Sequence, residues 1–251
     1  MRKLLTLAFI LLTTLVHAQQ SEVRKLGINP SGIAVSTGIQ AKIVKSDKNE
    51  VVLEAENHYQ INRVETKIED GILIIRAKRN SNIQNSRNLK ATVYINPNLH
   101  HIEISSAGSL EINVPLEVRT LDIALSSAGV LKTKHISTGK LSIDASSASK
   151  LAIGSIKVNE LDIEASSAAS IVLTGLTGIA SIDASTNANV NATKVDAKTV
   201  SADASTGAKI SIHVSETLKA EASSGGTVNY AGHPKTTNFE KSSGGTIHNA
   251  N

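Results

Sequence analysis

A motif that recurs about every twenty residues constrains the fold of this chain more than any other feature. From residue 101 onward, each copy carries alternating apolar residues, in most copies an acidic residue, then two hydroxyl residues and two mostly small residues. The first hydroxyl residue of each copy is Ser105, Ser126, Ser146, Ser166, Ser185, Ser205, Ser223 or Ser242, at steps of 18 to 21 residues. Such a period is typical of a solenoid, in which each repeat packs against its neighbours.

The apolar pattern within each copy indicates which solenoid this is. Leu141, Ile143 and Ala145 alternate with polar residues, and a period of two is the signature of a β-strand. Helical repeats need about 33 residues or more, and leucine-rich repeats need an asparagine-containing signature that these copies lack. Twenty extended residues at about 3.3 Å each give a perimeter near 60 Å, which fits about three short strands per coil. We therefore predict an all-β fold, a right-handed parallel β-helix with about 20 residues per coil.

The Ser-Ser-Ala/Gly segment of each copy predicts a sharp corner between strands. Small residues let the same corner stack coil upon coil, and serine hydroxyls can bond the backbone of a turn or one another in a ladder. We expect glycine to provide the positive φ angles that such a turn needs, at Gly108, Gly129, Gly207, Gly225 and Gly226. The serine column is interpreted as structural first, with a hydroxyl face for a ligand as the alternative.

The segment before the repeats is also β but less regular. Runs with alternating apolar residues fall at 39–44, 51–55, 61–68, 72–77 and 91–95. Asp70-Gly71 between the third and fourth runs predicts a β-hairpin. Because the apolar end of a solenoid must be covered, we interpret residues 27–100 as N-terminal coils and a cap, followed by regular repeats at 101–248. Residues 27–248 are thus predicted to form a single domain.

The N-terminal residues predict export. Arg2 and Lys3 precede an apolar run, 4–16, that ends in Val16-His17-Ala18, with small residues at the positions a signal peptidase reads. We predict a signal peptide at residues 1–18, cleavage after Ala18, and a location in the periplasm, on the outer surface or outside the cell. No later run reaches the roughly 18 apolar residues of a membrane-spanning helix, so the mature chain is predicted to have no transmembrane segment.

The composition excludes several classes of function. The chain has no cysteine, so the lipoprotein route of anchoring, disulfides and thiolate metal sites are all ruled out. Without Arg2 and Lys3, 24 basic residues face 22 acidic ones, and aromatic residues make up only 2% of the chain. Nucleic-acid binding calls for a concentrated basic face and usually for aromatic side chains, so no nucleic-acid partner is expected.

The order of motifs resembles one known family. A Gly27-Ile28-Asn29 tripeptide is followed by IAVSTGIQAKI at 33–43, VETKIEDGILIIRAK at 64–78 and serial SSAG-like corners. Over roughly residues 27–248 this pattern resembles the putative auto-transporter adhesin, head GIN domain family, common among exported proteins of Bacteroidota. That family usually reads Ser-Gly-Ala-Gly at its corners, from which 146–149 and 185–188 depart. The resemblance implies a β-helix with a surface or envelope role and provides no catalytic residues.

One polar position stands out within the repeats. An acidic residue lies two positions before the corner serine in every copy except the second, which has Ala124. Alternation predicts that these residues face outward and stack as one column, with like charges next to each other. The core of this column is Asp144, Glu164, Asp183, Asp203 and Glu221. We interpret it as a solvated stripe relieved by salt and nearby lysines, with calcium binding or a basic partner as the alternatives.

No catalytic constellation accompanies these features. The chain lacks the nucleophile-elbow, P-loop, zinc-protease and EF-hand motifs, and its histidines are scattered. We therefore predict no enzyme activity, no cofactor beyond the calcium alternative, and an adhesin-like binding or structural module. Its expected partner is an envelope or extracellular polysaccharide or protein, and end-to-end stacking is one route to an oligomer. A polysaccharide-active lyase or hydrolase and a ligand-free periplasmic structural protein are the competing hypotheses.

Overall fold

The structure, a computed structural model, describes residues 20–81 and 88–251, so the predicted signal peptide at 1–18 lies outside the described residues. Its elements are β1 Gln20–Lys25, β2 Gly32–Val35, β3 Gln40–Lys45, β4 Glu50–Ala55, α1 His58–Ile61, β5 Val64–Glu69, β6 Ile72–Ala77, β7 Lys90–Ile95, β8 His101–Ile104, β9 Ser109–Ile112, β10 Leu116–Leu125, β11 Val130–Thr133, β12 Ile136–Ala145, β13 Lys150–Ala165, β14 Ser170–Ala184, β15 Asn189–Ala204, β16 Lys209–Ala222, β17 Thr227–Ala231, β18 Thr236–Lys241 and β19 Thr246–Asn249. Within the described ranges, no helix is long and apolar enough to cross a bilayer.

The repeats form a parallel β-helix, as predicted. Each strand pairs in parallel with the equivalent strand of the next coil, so that Leu141 lies opposite Leu161 and Ile163 opposite Ile182. In β13, β14 and β15 the strand continues round the coil, and shifts in register mark the bends. Because parallel neighbours lie about 4.8 Å apart, each coil adds that length to the rod.

The core is a set of stacked aliphatic columns inside the coils. Ile143, Ile163 and Ile182 are at most 1% exposed, which confirms the inward register expected from the alternation. Towards the C-terminus the same column continues as Ala202 and Ala220, both buried. Among the described residues, the buried core therefore consists of aliphatic side chains, and none of its members is aromatic.

The N-terminal end is closed by strands that run against the coil direction. β4 pairs antiparallel with β7, β1 pairs antiparallel with β4, and β5 with β6 forms the predicted hairpin around Asp70-Gly71. Strand β1 was not predicted. The prediction that a β-run begins at Ile61 is wrong, because residues 58–61 form the short helix α1. The Asn57 side chain accepts a hydrogen bond from the Gln60 backbone N–H at 3.0 Å, which caps this helix and turns Ile61 into the core.

Charged side chains fasten this cap. The Arg24 guanidinium donates to the carbonyl oxygens of Val64, at 2.7 Å, and Ile61, at 3.1 Å. Glu50 accepts from Lys25 at 2.5 Å and Glu65 accepts from Arg76 at 2.7 Å. These hydrogen bonds lower the pKa of Glu50 and of Glu65, against a smaller opposing effect of burial. A charged, partly covered edge strand is poorly suited to pairing with a further strand, so this end of the rod is blunted.

Candidate functional site

Each corner is a tight turn with two residues in the left-handed conformation. In the corner that begins at Ser146, Ser147 has φ 55° and Ala148 has φ 59°. The N–H of Ser149 donates to the Ser146 carbonyl at 3.2 Å, and that of Ala148 donates to the Ser167 carbonyl of the next coil at 2.9 Å. Two positive φ angles with this closing bond define a type I′ turn, which the bond between coils helps to hold.

The glycines do not all play the predicted part in these turns. Gly207 and Gly225 have positive φ, but Gly108, Gly129 and Gly226 do not. Those three occupy the last position of the turn, where an added Cβ would come within 2.8 Å or less of a carbonyl oxygen of the preceding coil. At most corners serine, threonine, alanine or asparagine therefore takes the left-handed conformation, and glycine is required at some corners for close approach between coils.

The predicted column of carboxylates is present on the outside of the rod. Asp144 lies opposite Glu164, Glu164 opposite Asp183, and Asp183 opposite Asp203 in the parallel ladders. With its extensions at both ends, this acidic column consists of Glu103, Asp144, Glu164, Asp183, Asp203, Glu221 and Glu240, interrupted by Ala124. Its neighbours in sequence, such as Ile163, point into the core, so the outward register of the column is confirmed.

A groove runs along the acidic column. It has a volume of about 640 Å³ and lies between the carboxylates and the first serine of each corner. Its polar lining consists of Glu103, Asp144, Glu164, Asp183, Asp203, Ser126, Ser146, Ser166, Ser185 and Ser205. The groove therefore follows the rod axis over several coils and offers one carboxylate and one hydroxyl at most steps.

The corner hydroxyls are not tied up by the fold. Among the described residues, none of the groove serines donates or accepts a side-chain hydrogen bond with another residue, so these hydroxyls form neither a ladder nor bonds to the backbone of the turn. The turns are held by backbone hydrogen bonds instead, as at Ala128, whose N–H donates to the Ser147 carbonyl at 2.9 Å. These hydroxyls are therefore free to bond water or a ligand.

The carboxylates in the middle of the column are perturbed. Partial burial raises the pKa of Asp183, and the negative charges of Asp162 and Glu221 raise it further. Partial burial also raises the pKa of Asp203, together with Glu221 and Asp183, while Lys219 opposes the rise. For both residues the larger cause is loss of hydration in the groove, and repulsion between carboxylates comes second.

Few cations balance this charge. Lys219 lies 2.6 Å from Glu221, and this contact raises the pKa of the lysine. The other lysines expected to relieve the stripe form no ion pair with any described residue; they are Lys132, Lys140, Lys157 and Lys198. Over most of its length the column is therefore left to solvent, to dissolved ions or to a ligand.

The structure leaves calcium binding as a prediction. In the part of the chain that is described, no three His, Asp or Glu side chains converge as the ligands of a metal ion would. A calcium ion takes six to eight oxygens, so coordination here would need water and serine hydroxyls in addition to stacked carboxylates.

One acid–histidine pair was not predicted from the sequence. Asp196 Oδ1 and His213 Nδ1 are 3.0 Å apart on neighbouring coils. The two strands shift register by several residues between Ala192 and Asp196, and this irregularity hid the pairing from a count based on a fixed period. No described hydroxyl side chain is hydrogen-bonded to His213, so the pair lacks the nucleophile of a catalytic triad.

The family of the chain follows from its motifs together with this architecture. The sequence profile of the family described as "Putative auto-transporter adhesin, head GIN domain" matches residues 29–234. This chain belongs to that family. The match covers the cap except β1, and nearly all the coils, so the resemblance seen in the sequence is confirmed. No curated protein is significantly similar to the chain.

Solved structures share the fold at low sequence identity. A putative adhesin from Parabacteroides merdae is 16% identical with a TM-score of 0.82, covering 92% of this chain and 96% of that one. A putative adhesin from Parabacteroides distasonis is 15% identical with a TM-score of 0.81, at the same coverage. A putative lipid binding protein from the same species is 18% identical with a TM-score of 0.81, covering 93% and 97%. At such identities the likeness establishes a common fold only.

Proposed function

We propose that this protein is an exported, non-catalytic, adhesin-like module that binds an extended polar polymer, a polysaccharide or a protein segment, along the groove beside the acidic column. The observation that carries the proposal is the groove itself, in which free hydroxyls and under-neutralised carboxylates repeat along the rod. A polymer with hydrogen-bond donors or positive charges at regular intervals could contact several coils at once.

The chemistry of the groove favours a polar ligand. Carboxylates accept hydrogen bonds from sugar hydroxyls, amines and guanidinium groups, and hydrogen bonds to charged groups are the stronger ones. A lipid chain would instead have to lie on the partly desolvated carboxylates of Asp183 and Asp203, which is unfavourable. The lack of aromatic side chains along the groove argues against the stacking platform that many sugar-binding sites use.

The proposal is tested by affinity for polymers of different charge. Titration calorimetry with an amine-bearing glycan, a neutral glucan and a polyuronate should give binding in that order of strength, with none to the polyuronate. The double variant Asp183→Asn/Asp203→Asn should weaken binding of the amine-bearing glycan about tenfold. Glu111→Gln/Glu117→Gln, which removes two charges outside the groove, is the matched control. Equal losses from both double variants, or binding of the polyuronate, would contradict the proposal.

The non-catalytic part of the proposal has its own test. Purified protein incubated with neutral and acidic polysaccharides, with and without calcium, should release no new reducing ends or unsaturated products. Turnover that a single substitution in the groove abolishes would favour the competing lyase or hydrolase hypothesis.

Export is tested on the cell-derived protein. Mass spectrometry of the periplasmic and extracellular fractions should find a mature N-terminus at Gln19, as expected for cleavage after Ala18. Recovery of a chain that retains Met1 would show that the signal peptide was assigned wrongly.

A further inference from the structure

One coil differs from the others in what it shows to solvent. Strand β14 exposes Val172, Leu176 and Ile179 to 42%, 54% and 54%. They are three of the seven large apolar side chains exposed anywhere in the described residues. Leu176 and Ile179 lie three residues apart on β14, on either side of a break in the alternation of buried and exposed residues at 177–178, and this exposed pair is the apolar patch.

The neighbouring coils are polar at the same positions. The column through Leu176 contains Glu117, Ser137, Lys157, Asp196 and His213. The column through Ile179 contains Thr120, Lys140, Glu160, Thr199 and Thr217. All the other residues in these two columns are therefore polar, as expected on a solvated surface. Strand β14 alone carries an apolar residue at both positions.

The charges that flank this patch are inverted from one side to the other. On the coil before β14, Lys157 lies beside Leu176 and Glu160 beside Ile179. On the coil after it, Asp196 lies beside Leu176, and Lys198 precedes the residue beside Ile179. Lys157, Glu160 and Lys198 form no ion pair with any described residue, whereas Asp196 also contacts His213 at 3.0 Å. Leu176 thus has a cation on the preceding coil and an anion on the following one. Ile179 has an anion on the preceding coil and a cation close by on the following one.

From this arrangement we infer that Leu176 and Ile179 form the centre of an interface between two copies of this chain, lying side by side and antiparallel. A two-fold axis perpendicular to both rods, along the β14 coils, would bring Leu176 against its own equivalent. The same rotation exchanges the preceding and following coils, so Lys157 of each copy meets Asp196 of the other, and Glu160 approaches Lys198. An apolar centre with complementary charges at its rim is the usual arrangement of an isologous interface.

The interface leaves the groove open. Ile179 lies four residues before Asp183 on the same strand, and the acidic column runs along the far side of that face, next to the corner serines. The dimer would therefore present two grooves that run in opposite directions. Its apolar centre is small, so we expect a reversible dimer whose dissociation constant lies in the micromolar range.

A single introduced cysteine tests the geometry, because the natural chain has none. A residue on a two-fold axis meets its own copy, so Leu176→Cys should give a disulfide-linked dimer under mild oxidation at micromolar protein concentration. Val172→Cys is the matched control, since that residue has similar exposure on the same strand but lies before the register shift that separates it from Leu176. Cross-linking of both variants to the same extent would show random collision and overturn the inference.

Charge-reversal variants distinguish this dimer from nonspecific association. In sedimentation equilibrium, Lys157→Asp should raise the dimer dissociation constant about tenfold, and Asp196→Lys should do the same. The double variant should restore it, because the pairs are re-formed with reversed sign. Leu176→Ser/Ile179→Thr, which copies the residues of other coils, should give monomers only. A natural chain that stays monomeric up to roughly 1 mM, or a double variant no tighter than the singles, would overturn the inference.

Discussion

Carboxylates in the N-terminal cap and in the regular coils have opposite surroundings. Glu50 and Glu65 each accept a hydrogen bond from a neighbouring cation, and their pKa values are lowered. Asp183 and Asp203 lie in a groove among other carboxylates, and their pKa values are raised. The same chemical group therefore favours the folded state in the cap and opposes it in the coils.

This difference indicates what each set of charges is for. The cap residues hold antiparallel strands over the end of the core, and their ion pairs bridge β1 to β4 and β5 to β6. Within the described structure the acidic column bridges no two strands: its contacts with cationic side chains, Lys219 with Glu221 and His101 with Glu103, each lie within one strand, and its strands are already joined by backbone hydrogen bonds. A local arrangement that works against stability and has no structural partner is what a binding surface commonly shows.

The contrast between the cap and the acidic column requires that the column faces outward and its neighbours in sequence face inward. The largest predicted effect tests this register. Ile163→Asp should reduce the free energy of unfolding by roughly 3–5 kcal/mol, because it buries an unpaired charge in the core. The neighbouring Asp162→Lys, on the outer surface, should change it by less than about 0.5 kcal/mol. Urea unfolding monitored by circular dichroism measures both. Similar losses in the two variants would mean that the column does not face outward.

The second prediction concerns the cap. Arg24→Ala should cost about 1–3 kcal/mol, because it removes the donor shared by the Ile61 and Val64 carbonyls at the end of the rod. Arg119→Ala is the control, since Arg119 is exposed and has no side-chain bond to a described residue. Hydrogen exchange should show the loss of protection concentrated in β1, β4 and β5. A uniform loss over all coils would contradict the assignment of Arg24 to the cap.

A matched pair of substitutions tests the opposite signs directly. At neutral pH, Glu65→Gln should destabilise the protein and Asp183→Asn should stabilise it, each by less than the Arg24 effect. Stability measured by urea unfolding at fixed ionic strength decides this. If both substitutions change stability in the same direction, the contrast between cap and column is wrong.

The pH dependence of the same variants has a definite sign. Asp183 has a raised folded-state pKa, so its penalty is fully present above that pKa and is relieved as pH falls towards the ordinary value of 3.8. The advantage of Asp183→Asn should therefore shrink as the pH is lowered. Glu65 has a lowered pKa, so its contribution is fully present above the ordinary value of 4.5 and is lost as pH falls through the lowered one. The quantity to compare at each pH is the difference in unfolding free energy between each variant and the natural chain, because the natural chain contains both titrating groups.

The smallest predicted effect concerns dissolved ions. If the column is a solvated stripe, sodium, magnesium and calcium at matched ionic strength should raise the melting temperature equally, by a few degrees at most. A rise specific to calcium that Asp183→Asn abolishes would identify a metal site, since a ligand of the folded state alone stabilises that state. A melting temperature that does not respond to any salt would show that repulsion within the column is negligible.

The sequence was sufficient for the parts of the molecule that repeat. A period near twenty residues, with Leu141 and Ile143 alternating against Ser142 and Asp144, determines the strands, the inward columns and the stacked carboxylates. Each of these follows from local alternation plus stacking of equivalent residues, so no distant contact had to be foreseen.

The parts that do not repeat were beyond such reasoning. Strand β1 reads as a polar segment, and only its antiparallel pairing with β4 makes it a strand. Ser147 and Ala148 adopt the conformation expected of glycine because the Ala148 N–H donates a hydrogen bond to the Ser167 carbonyl of the next coil, which holds the turn. The desolvation that raises the pKa of Asp183 depends on the shape of the groove, and the pairing of Asp196 with His213 depends on an irregular register. These features are set by tertiary contacts that no periodic pattern records.

The way in which each corner bonds only to the corners above and below has a consequence for how such a molecule can change. Adding or deleting one twenty-residue unit would leave every remaining turn with the partners it needs, since a coil carries its own closing hydrogen bonds. The groove would become longer or shorter by one step of about 4.8 Å and usually by one carboxylate and one hydroxyl. The number of repeat units would then set the length of the groove without any change to the packing of the core.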